Sequence, residues 1–453
     1  MHQIDAPASV RAVMERLWAH GHSAYVVGGS VRDAILGREA KDWDLASDAR
    51  PDRLLAIFPG AVYENRFGTV AVREGDAQHE VTTFRTDHEY ADFRRPHHVE
   101  FGDDIQLDLA RRDFTVNAIA WGAQPGADAG APVPTPVLVD PFEGVADVGA
   151  RRLRAVGDPG TRFREDALRM LRAARLAAVL DFEIDAATLD AMRDNAGLVA
   201  HVSGERTAAE LEKLLLADRP SVGLRILDET GLLAVISPEL GAQRGVPQNK
   251  IAGDDLLNHT VRTVDALPVA RPVVRLAALL HDIGKPSTID TGPFHGHDVV
   301  GAEMAEALLD RLHFPRAVTE RVVHLVRQHM FQYDQDWGDA GVRRFIQRVG
   351  IDAIEDLFVL RESDSIGSGL PPDAGALGEL RARVAAELEA SVVLDRSKLA
   401  VKGDDLMAEL GIPPGPHLGR ILDALLERVI ADPALNDRAE LLVLAESMLA
   451  DVR

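Results

Sequence analysis

Apolar and polar positions follow two rhythms along this chain. Between residues 8 and 20, Val10, Val13, Met14 and Leu17 recur at helical spacing and predict an amphipathic helix. Short β-rich runs then predict strands at 25–27, 42–46, 69–73 and 80–84, and 51–58 reads as a helix with proline in its first turn. Residues 86–99, polar, charged and broken by Pro96, read as a long mobile loop, and a helix is expected to start at Asp108 within 108–120. Residues 124–136, rich in Gly, Ala and Pro, read as an exposed loop. Residues 162–179 read as one continuous helix with Leu168, Leu171, Ala174 and Ala178 on its apolar stripe, and the pattern is helical from Leu216 onward. Mixed elements followed by helices predict an α+β chain, divided at 1–150, 151–250, 251–370 and 371–453.

Composition narrows the function classes. The chain has 453 residues and no cysteine, which excludes disulfides, thiolate metal sites and a cysteine nucleophile. No apolar run reaches the roughly 18 residues of a membrane span and the first residues carry no signal core, so a soluble cytoplasmic protein is expected. A net charge of −22 argues against coating nucleic acid non-specifically. The charge is uneven: between Arg151 and Arg175 eight arginines face only Asp158, Glu165 and Asp166. A polyanion is therefore expected to lie against the N-terminal half.

The stretch GGSVRDAILGREAKDWDLAS, residues 28–47, concentrates candidate chemistry. Gly28 and Gly29 let a triphosphate approach backbone N–H groups at a helix start. Asp42 and Asp44, two apart on an expected strand, point to one face and suit Mg²⁺, which takes one or two carboxylates and completes its shell with water and phosphate. Glu80 is a candidate third carboxylate, against the ordinary reading of a solvated strand end. Arg111, Arg112, Asp113 and Asn117 are expected to share one polar surface, the arginines for triphosphate oxygens and Asn117 for a ribose hydroxyl. Asp166, Arg169 and Arg172 follow at three-residue steps. An i,i+3 salt bridge is the plain reading of the first two, but a carboxylate beside a guanidinium also imitates the edge of a base.

The ordered set GGSVRD, DWD, EVTTFR, the RRP loop, DLARRDFTVNA, REDALRMLRAAR and ERTAAELEKLL resembles the class II tRNA nucleotidyltransferases, which add CCA to tRNA 3′ ends and are related to bacterial poly(A) polymerases. It runs over about 23–216, and residues 403–442 resemble the tail of the same family. The resemblance implies a polymerase-β-like head with a small mixed sheet, followed by all-α neck, HD and tail domains. It implies Asp42 and Asp44 as catalytic metal ligands, and Gly28, Gly29, Arg32 and Asp33 as the nucleotide cradle. Arg111, Arg112, Asp113 and Asn117 become further nucleotide contacts. Glu165, Asp166 and Arg169, with Arg172 beyond them, match the element in which protein side chains template CTP and ATP. The loop holding Asp87, Arg94 and Arg95 resembles the one associated with switching to ATP.

Within 256–364 a second constellation stands out: His259, the dipeptide His281-Asp282 followed by Lys285, then His297, His329 and Asp364. Imidazole mixed with carboxylate suits Ni, Mn, Fe, Co or Zn much better than Mg. The set resembles the HD phosphohydrolases, which implies one or two metal ions on these residues and a phosphate contact from Lys285. His295 and His324 are read as surface or core histidines. The expected function is template-independent CCA addition to tRNA from CTP and ATP, with a second phosphohydrolase activity. The alternatives are a poly(A) polymerase, an A-adding enzyme, or a non-catalytic RNA-binding or sensor protein. The intact Asp42, Asp44, Arg111 and Arg112 speak against the last, and the net acidic 431–453 speaks against the basic arm of a poly(A) polymerase.

Overall fold

The computed structural model describes residues 4–450 apart from 41, 66–67, 91–95, 126–132, 249, 292–293 and 391–393. The chain packs as two compact units, Met1–Gly241 with Arg311–His313, and Ala242–Asp310 with Phe314–Arg453. No helix among the described residues is long and apolar enough to cross a membrane.

The first unit opens with helix Ala8–Ala19, which buries Val10, Val13, Met14 and Leu17 as the helical period requires. Eleven strands lie among its described residues: β1 (Ala24–Val27), β2 (Leu45–Ser47), β3 (Val62–Asn65), β4 (Thr69–Glu74), β5 (Ala77–Thr83), β6 (Arg85–Tyr90), β7 (Pro96–Phe101), β8 (Ala120–Ala123), β9 (Val137–Val139), β10 (Arg152–Leu153) and β11 (Glu183–Ile184). Seven of them form one sheet in the order β3-β4-β5-β2-β1-β8-β9. It is mixed: β2 runs parallel to β5 with Leu45 opposite Val81, whereas β1 is antiparallel to both β2 and β8. All four residues of β1 are buried, which explains its unbroken apolar sequence AYVV.

Four expectations change. Asp42 and Asp44 do not lie within a strand, because β2 begins at Leu45; pairing starts only where the Asp44 carbonyl accepts from Val27 N at 3.0 Å. Residues 86–99 are not a single loop, since β6 and β7 pair antiparallel with Asp87 opposite Val99 and His88 opposite His98. Backbone pairing satisfies N–H and C=O groups whatever the side chains are, so a polar run can still form a ribbon. Arg94 and Arg95 lie outside the described residues. The helix expected from 108 is Ile105–Ala110, after which Phe114 bridges to Ala155 and Thr115 N donates to the Arg154 carbonyl at 2.9 Å. Those partners draw the backbone out of the helix into the short turn Thr115–Asn117.

The helix expected over 162–179 is two, Pro159–Glu165 and Leu168–Leu180. Asp166 breaks it: its backbone is extended at φ −148°, ψ 104°, and its Oδ1 accepts from Leu168 N at 3.1 Å. A short acidic side chain that bonds nearby backbone competes with helix continuation.

The described elements of the second unit are all helical. Leu256–Asp265, Pro272–Leu280, His297–Arg311, Arg316–Gln328 and Ile351–Gly367 carry or adjoin the histidines and aspartates singled out above. A separate apolar cluster, including Val401, Leu406, Leu425, Ile430 and Leu441, fills the space among the last three helices.

Candidate functional sites

In the first unit, Gly28 turns the chain from β1 into helix Gly29–Ile35 with φ +76°. The positive φ makes glycine the residue this turn needs, and a Cβ there would stand 2.7 Å from Arg112 Nη1 and displace that guanidinium. In the helix, the buried Arg32 donates to Asp33 Oδ1 at 2.9 Å and to Asn117 Oδ1.

Asp42, Asp44 and Glu80 line one cavity of about 640 Å³. Asp44 and Glu80 also border a second, of about 410 Å³, whose wall includes Arg85, Arg111, Arg112, Asp166, Arg169, Arg172 and Arg206. Two carboxylates, Asp44 and Glu80, thus stand where an acidic chamber meets a basic one. Restricted hydration pushes the Asp44 carboxyl up, Arg112 opposes this, and the Asp42 charge adds to it. An Asp44 carboxyl raised in this way beside Asp42 fits a hard divalent cation, whose charge would favour the Asp44 anion.

Asp108, which sequence reading missed, organises the basic wall. Only 1% exposed, it accepts from Arg111 at 2.7 Å and from Arg112 at 3.4 Å. Burial opposes its ionisation, but the two guanidinium groups outweigh this and hold its pKa below the ordinary carboxylate range. Its i,i+3 and i,i+4 spacing to the arginines was the available signal.

Asp113 borders this cavity, and both Asp113 and Asn117 bond inward. Asp113 Oδ2 accepts from Arg172 Nε at 2.8 Å and Nη2 at 2.6 Å, and its Oδ1 accepts from Asn117 Nδ2 at 3.1 Å. Burial again works against the charge, yet Arg172 holds the Asp113 carboxyl well below its usual value. With Arg32 on its oxygen and Asp113 on its nitrogen, the Asn117 amide is engaged inside the protein rather than held toward a ribose.

Asp166 and Arg169 take different partners, so the plain i,i+3 bridge is replaced. Arg169 Nη1 donates to Glu165 Oε2 at 2.7 Å and its Nη2 to the Arg111 carbonyl at 3.0 Å, while Asp166 Oδ2 accepts from Arg206 at 2.7 Å. Arg206 lies in ERTAAELEKLL, where sequence reading had assigned no role.

In the second unit, five helices converge on a buried cluster. His259, His281, Asp282, His297, His329 and Asp364 are each 6% exposed or less. His281, His297 and His329 hold Nδ1 2.7, 2.7 and 2.6 Å from the carbonyls of Ala278, Phe294 and Val326. Donation to a carbonyl fixes the tautomer and leaves each Nε2 as a lone-pair donor directed inward. His259 Nε2 and His281 Nε2 stand 3.4 and 3.2 Å from Asp282 Oδ2, and His297 Nε2 and His329 Nε2 stand 3.3 and 3.6 Å from Oδ1. Asp282 therefore joins two sets of three ligands, each compact enough for one ion. Asp364 Oδ1 adds a further oxygen, 3.2 Å from His259 Nε2.

Burial penalises the Asp282 charge, but Lys285 and the hydrogen bonds from His259 and His281 hold it well below the ordinary value. Burial pushes His281 down toward its neutral form, while at His259 the Asp282 and Asp364 carboxylates outweigh burial and raise the pKa, favouring a proton that an ion would displace. Deprotonated carboxylate and neutral imidazole are the ligand states a metal needs. Gly284 is dictated by packing, since a Cβ would meet the His297 carbonyl at 2.4 Å. Lys285 reaches Asp282 Oδ2 at 2.6 Å with its ammonium 5.6 Å from the Phe294 ring centre. His324, left over in the sequence, holds the Val349 carbonyl at 2.7 Å.

A mixed-sheet head with a metal-suited acidic pair beside a basic cavity has the construction of a polymerase-β-like nucleotidyltransferase. Residues 24–154 match the poly A polymerase head domain family, 181–243 the family described as the probable RNA and SrmB-binding site of polymerase A, and 251–365 the HD domain family. The CCA-adding enzyme of Lactococcus lactis subsp. cremoris (strain MG1363) is 33% identical over 441 residues, 96% of this chain and 95% of that protein. That of Streptococcus suis (strain 05ZYH33) is 47% identical over 216 residues, 48% of this chain and 51% of that one. The crystal structure of the Bacillus stearothermophilus CCA-adding enzyme in complex with CTP aligns with a TM-score of 0.73 at 29% identity, covering 98% of this chain and 97% of that one. The Thermotoga maritima CCA-adding enzyme complexed with tRNA shares the fold, with a TM-score of 0.57 at 20% identity. This chain belongs to the CCA-adding enzyme family and is a nucleotidyltransferase of the polymerase-β superfamily.

Proposed function

We propose that this protein adds C, C and A in turn to the 3′ end of tRNA, using CTP and ATP, and that its HD cluster is a second, hydrolytic site. The observation that carries the first part is the single cavity bordered by both Asp44 and the pair Asp166 and Arg169, which puts metal-suited and base-suited side chains within reach of one nucleotide. Asp42 and Asp44 would hold Mg²⁺. Bound there, Mg²⁺ lowers the pKa of the RNA 3′-hydroxyl and neutralises triphosphate charge. Arg111 and Arg112, held by Asp108, face the triphosphate oxygens, and Gly28 keeps the turn beside Arg112 open.

Selection follows from hydrogen-bond chemistry. Cytosine and adenine both offer an exocyclic amine beside a ring-nitrogen acceptor, whereas uracil and guanine offer a carbonyl beside a ring N–H. A fixed acceptor next to a fixed donor therefore takes the first two bases and rejects the others. Asp166 is that acceptor, its Oδ2 oriented by Arg206, and Arg169 is the donor, held by Glu165 and the Arg111 carbonyl. Asp113, Asn117, Arg32 and Arg172 act by fixing the segment that bears Arg111 and Arg112 against the helix that bears Arg169. The test is incubation with tRNA lacking CCA and one labelled nucleotide at a time. We expect CTP to add two residues, and ATP to add one only after CC; repeated A addition to any RNA end would overturn the reading in favour of a poly(A) polymerase.

At the HD cluster, His259, His281, Asp282 and Asp364 would hold one transition-metal ion, and His297 and His329 a second sharing Asp282. Such an ion supplies hydroxide at neutral pH. Lys285 places positive charge against the phosphate. A 2′,3′-cyclic phosphate on damaged RNA suits this site: the water oxygen forms the new P–O bond, one ribose–phosphate bond breaks, and the water proton ends on the released ribose oxygen. Assay of adenosine 2′,3′-cyclic phosphate with Ni²⁺, Mn²⁺ or Mg²⁺ tests this. Metal-dependent hydrolysis lost in Asp282→Ala is expected, and no hydrolysis by the unaltered protein would leave the metal as a helix clamp.

A further inference from the structure

Two lysines stand at different ends of the HD ligand set. Lys285 Nζ meets Asp282 Oδ2 at 2.6 Å and is buried. Lys250 Nζ faces Asp364 Oδ1 at 3.9 Å and donates to the Ser368 hydroxyl at 2.8 Å, with 43% of its side chain exposed. His259 Nε2 links the two ends, 3.4 Å from Asp282 Oδ2 and 3.2 Å from Asp364 Oδ1. Both ammonium groups therefore border the same ion position.

The other cations at this end are already matched. Arg361 donates to Asp364 Oδ2 at 2.8 Å, and Arg262 to Asp254 Oδ1 at 3.2 Å and the Gly367 carbonyl at 3.0 Å. Lys250 differs because its hydrogen bond goes to a neutral hydroxyl and the carboxylate oxygen it faces is one that an ion would claim. With Asp364 Oδ1 committed to metal, the Lys250 charge is left for an anion. In a chain whose net charge is −22, a half-exposed ammonium beside a buried phosphate-suited site is a specific local attraction for polyphosphate rather than part of a general basic coat.

We propose that Lys250 forms a second phosphate subsite, and that the substrate of the HD site is therefore an RNA chain end rather than a mononucleotide. The reacting terminal phosphate lies against Lys285 and the preceding phosphodiester against Lys250. A flexible four-carbon stem suits this second role, because it follows a backbone phosphate without demanding one geometry. The proposal rests on the hydrolase reading of the HD cluster.

The test uses the full chain with Mn²⁺ and compares adenosine 2′,3′-cyclic phosphate with the dinucleotide ApA ending in a 2′,3′-cyclic phosphate. One charge-assisted phosphate contact corresponds to about a tenfold preference in kcat/KM for the dinucleotide, which Lys250→Ala should erase through KM and Lys250→Arg should largely restore. A second readout is equilibrium binding of a fluorescent ApA 3′-phosphate, expected to weaken in Lys250→Ala and to lose part of its salt dependence. An unchanged substrate ratio together with unchanged binding overturns the subsite. Absence of hydrolysis by the unaltered protein overturns the hydrolase reading instead, and the binding comparison then decides on Lys250 by itself.

Discussion

Replacing Arg172 by leucine removes the guanidinium that meets Asp113 Oδ2 at 2.8 and 2.6 Å. Asp113 is 9% exposed and would keep only the amide of Asn117, at 3.1 Å, and Phe114 N, at 2.8 Å. Removing one partner of a buried ion pair costs about 3–5 kcal/mol, and the lower end applies because Arg172 is about one-third exposed and partly screened by water. At about 2–4 °C per kcal/mol for a unit of this size, the melting temperature should fall by about 6–12 °C at pH 7. The sign with pH is also fixed. In the unaltered protein the Asp113 pKa is depressed, so the pair contributes in full above the unfolded value of about 3.9 and is lost as pH falls through the lower folded value. Without Arg172, burial raises the folded pKa, the variant loses stability as pH rises, and the gap to the unaltered protein should narrow on going from pH 7 to pH 4.5. Scanning calorimetry of both full-length proteins at the two pH values measures this. A loss below about 1 kcal/mol at pH 7, or a gap that widens on acidification, would refute the placement of Asp113 as a buried, guanidinium-held carboxylate. At a temperature where the variant stays folded, CTP and ATP incorporation should fall together, because the pair supports the whole basic wall rather than one base.

Asp42→Asn and Asp44→Asn should each abolish nucleotide addition while leaving the circular dichroism spectrum and melting temperature near those of the unaltered protein; addition at a similar rate would remove these residues from the metal site. Asp166→Ala and Arg169→Ala should relax discrimination against UTP and GTP by about 1–3 kcal/mol per lost base contact, read as kcat/KM ratios, whereas equal loss for all four nucleotides would return them to a structural role. Deleting residues 87–95 should halt the tRNA product at CC, and products ending in CCA from that variant would exclude this segment from the change to ATP. Chelation should lower the melting temperature of the unaltered protein and leave Asp282→Ala unmoved, with metal content measured before and after; an equal response in both would show that the ion is held elsewhere.

Much of the site chemistry was legible because it is carried by local sequence. GGSVRD must turn and DWD must present acid; HD followed by GK places ligand, glycine and lysine within five residues. The helical spacing of Val10, Val13, Met14 and Leu17, and the unbroken apolar run of β1, report burial directly through periodicity. The roles of Asp108 and Arg206 were not legible. Asp108 matters because packing leaves it 1% exposed beneath two arginines, and Arg206 because a helix forty residues downstream reaches Asp166. The spacing of Asp108 to Arg111 and Arg112 signals their pairing, but no local period reports the burial of Asp108 or the reach of Arg206.

The sequence alone determined the change from mixed elements to helices, the acidic pair, the arginine-rich run and the identity of the six metal-suited side chains, since each depends on residue identity and pattern along the chain. Only the tertiary structure decided that Asp166 breaks its helix and turns to Arg206, that Asn117 is spent on Arg32 and Asp113, and that Asp282 divides its two oxygens between two groups of histidines. Those outcomes depend on which buried polar groups find one another across the fold, a competition between desolvation and long-range pairing that no window of neighbouring residues contains.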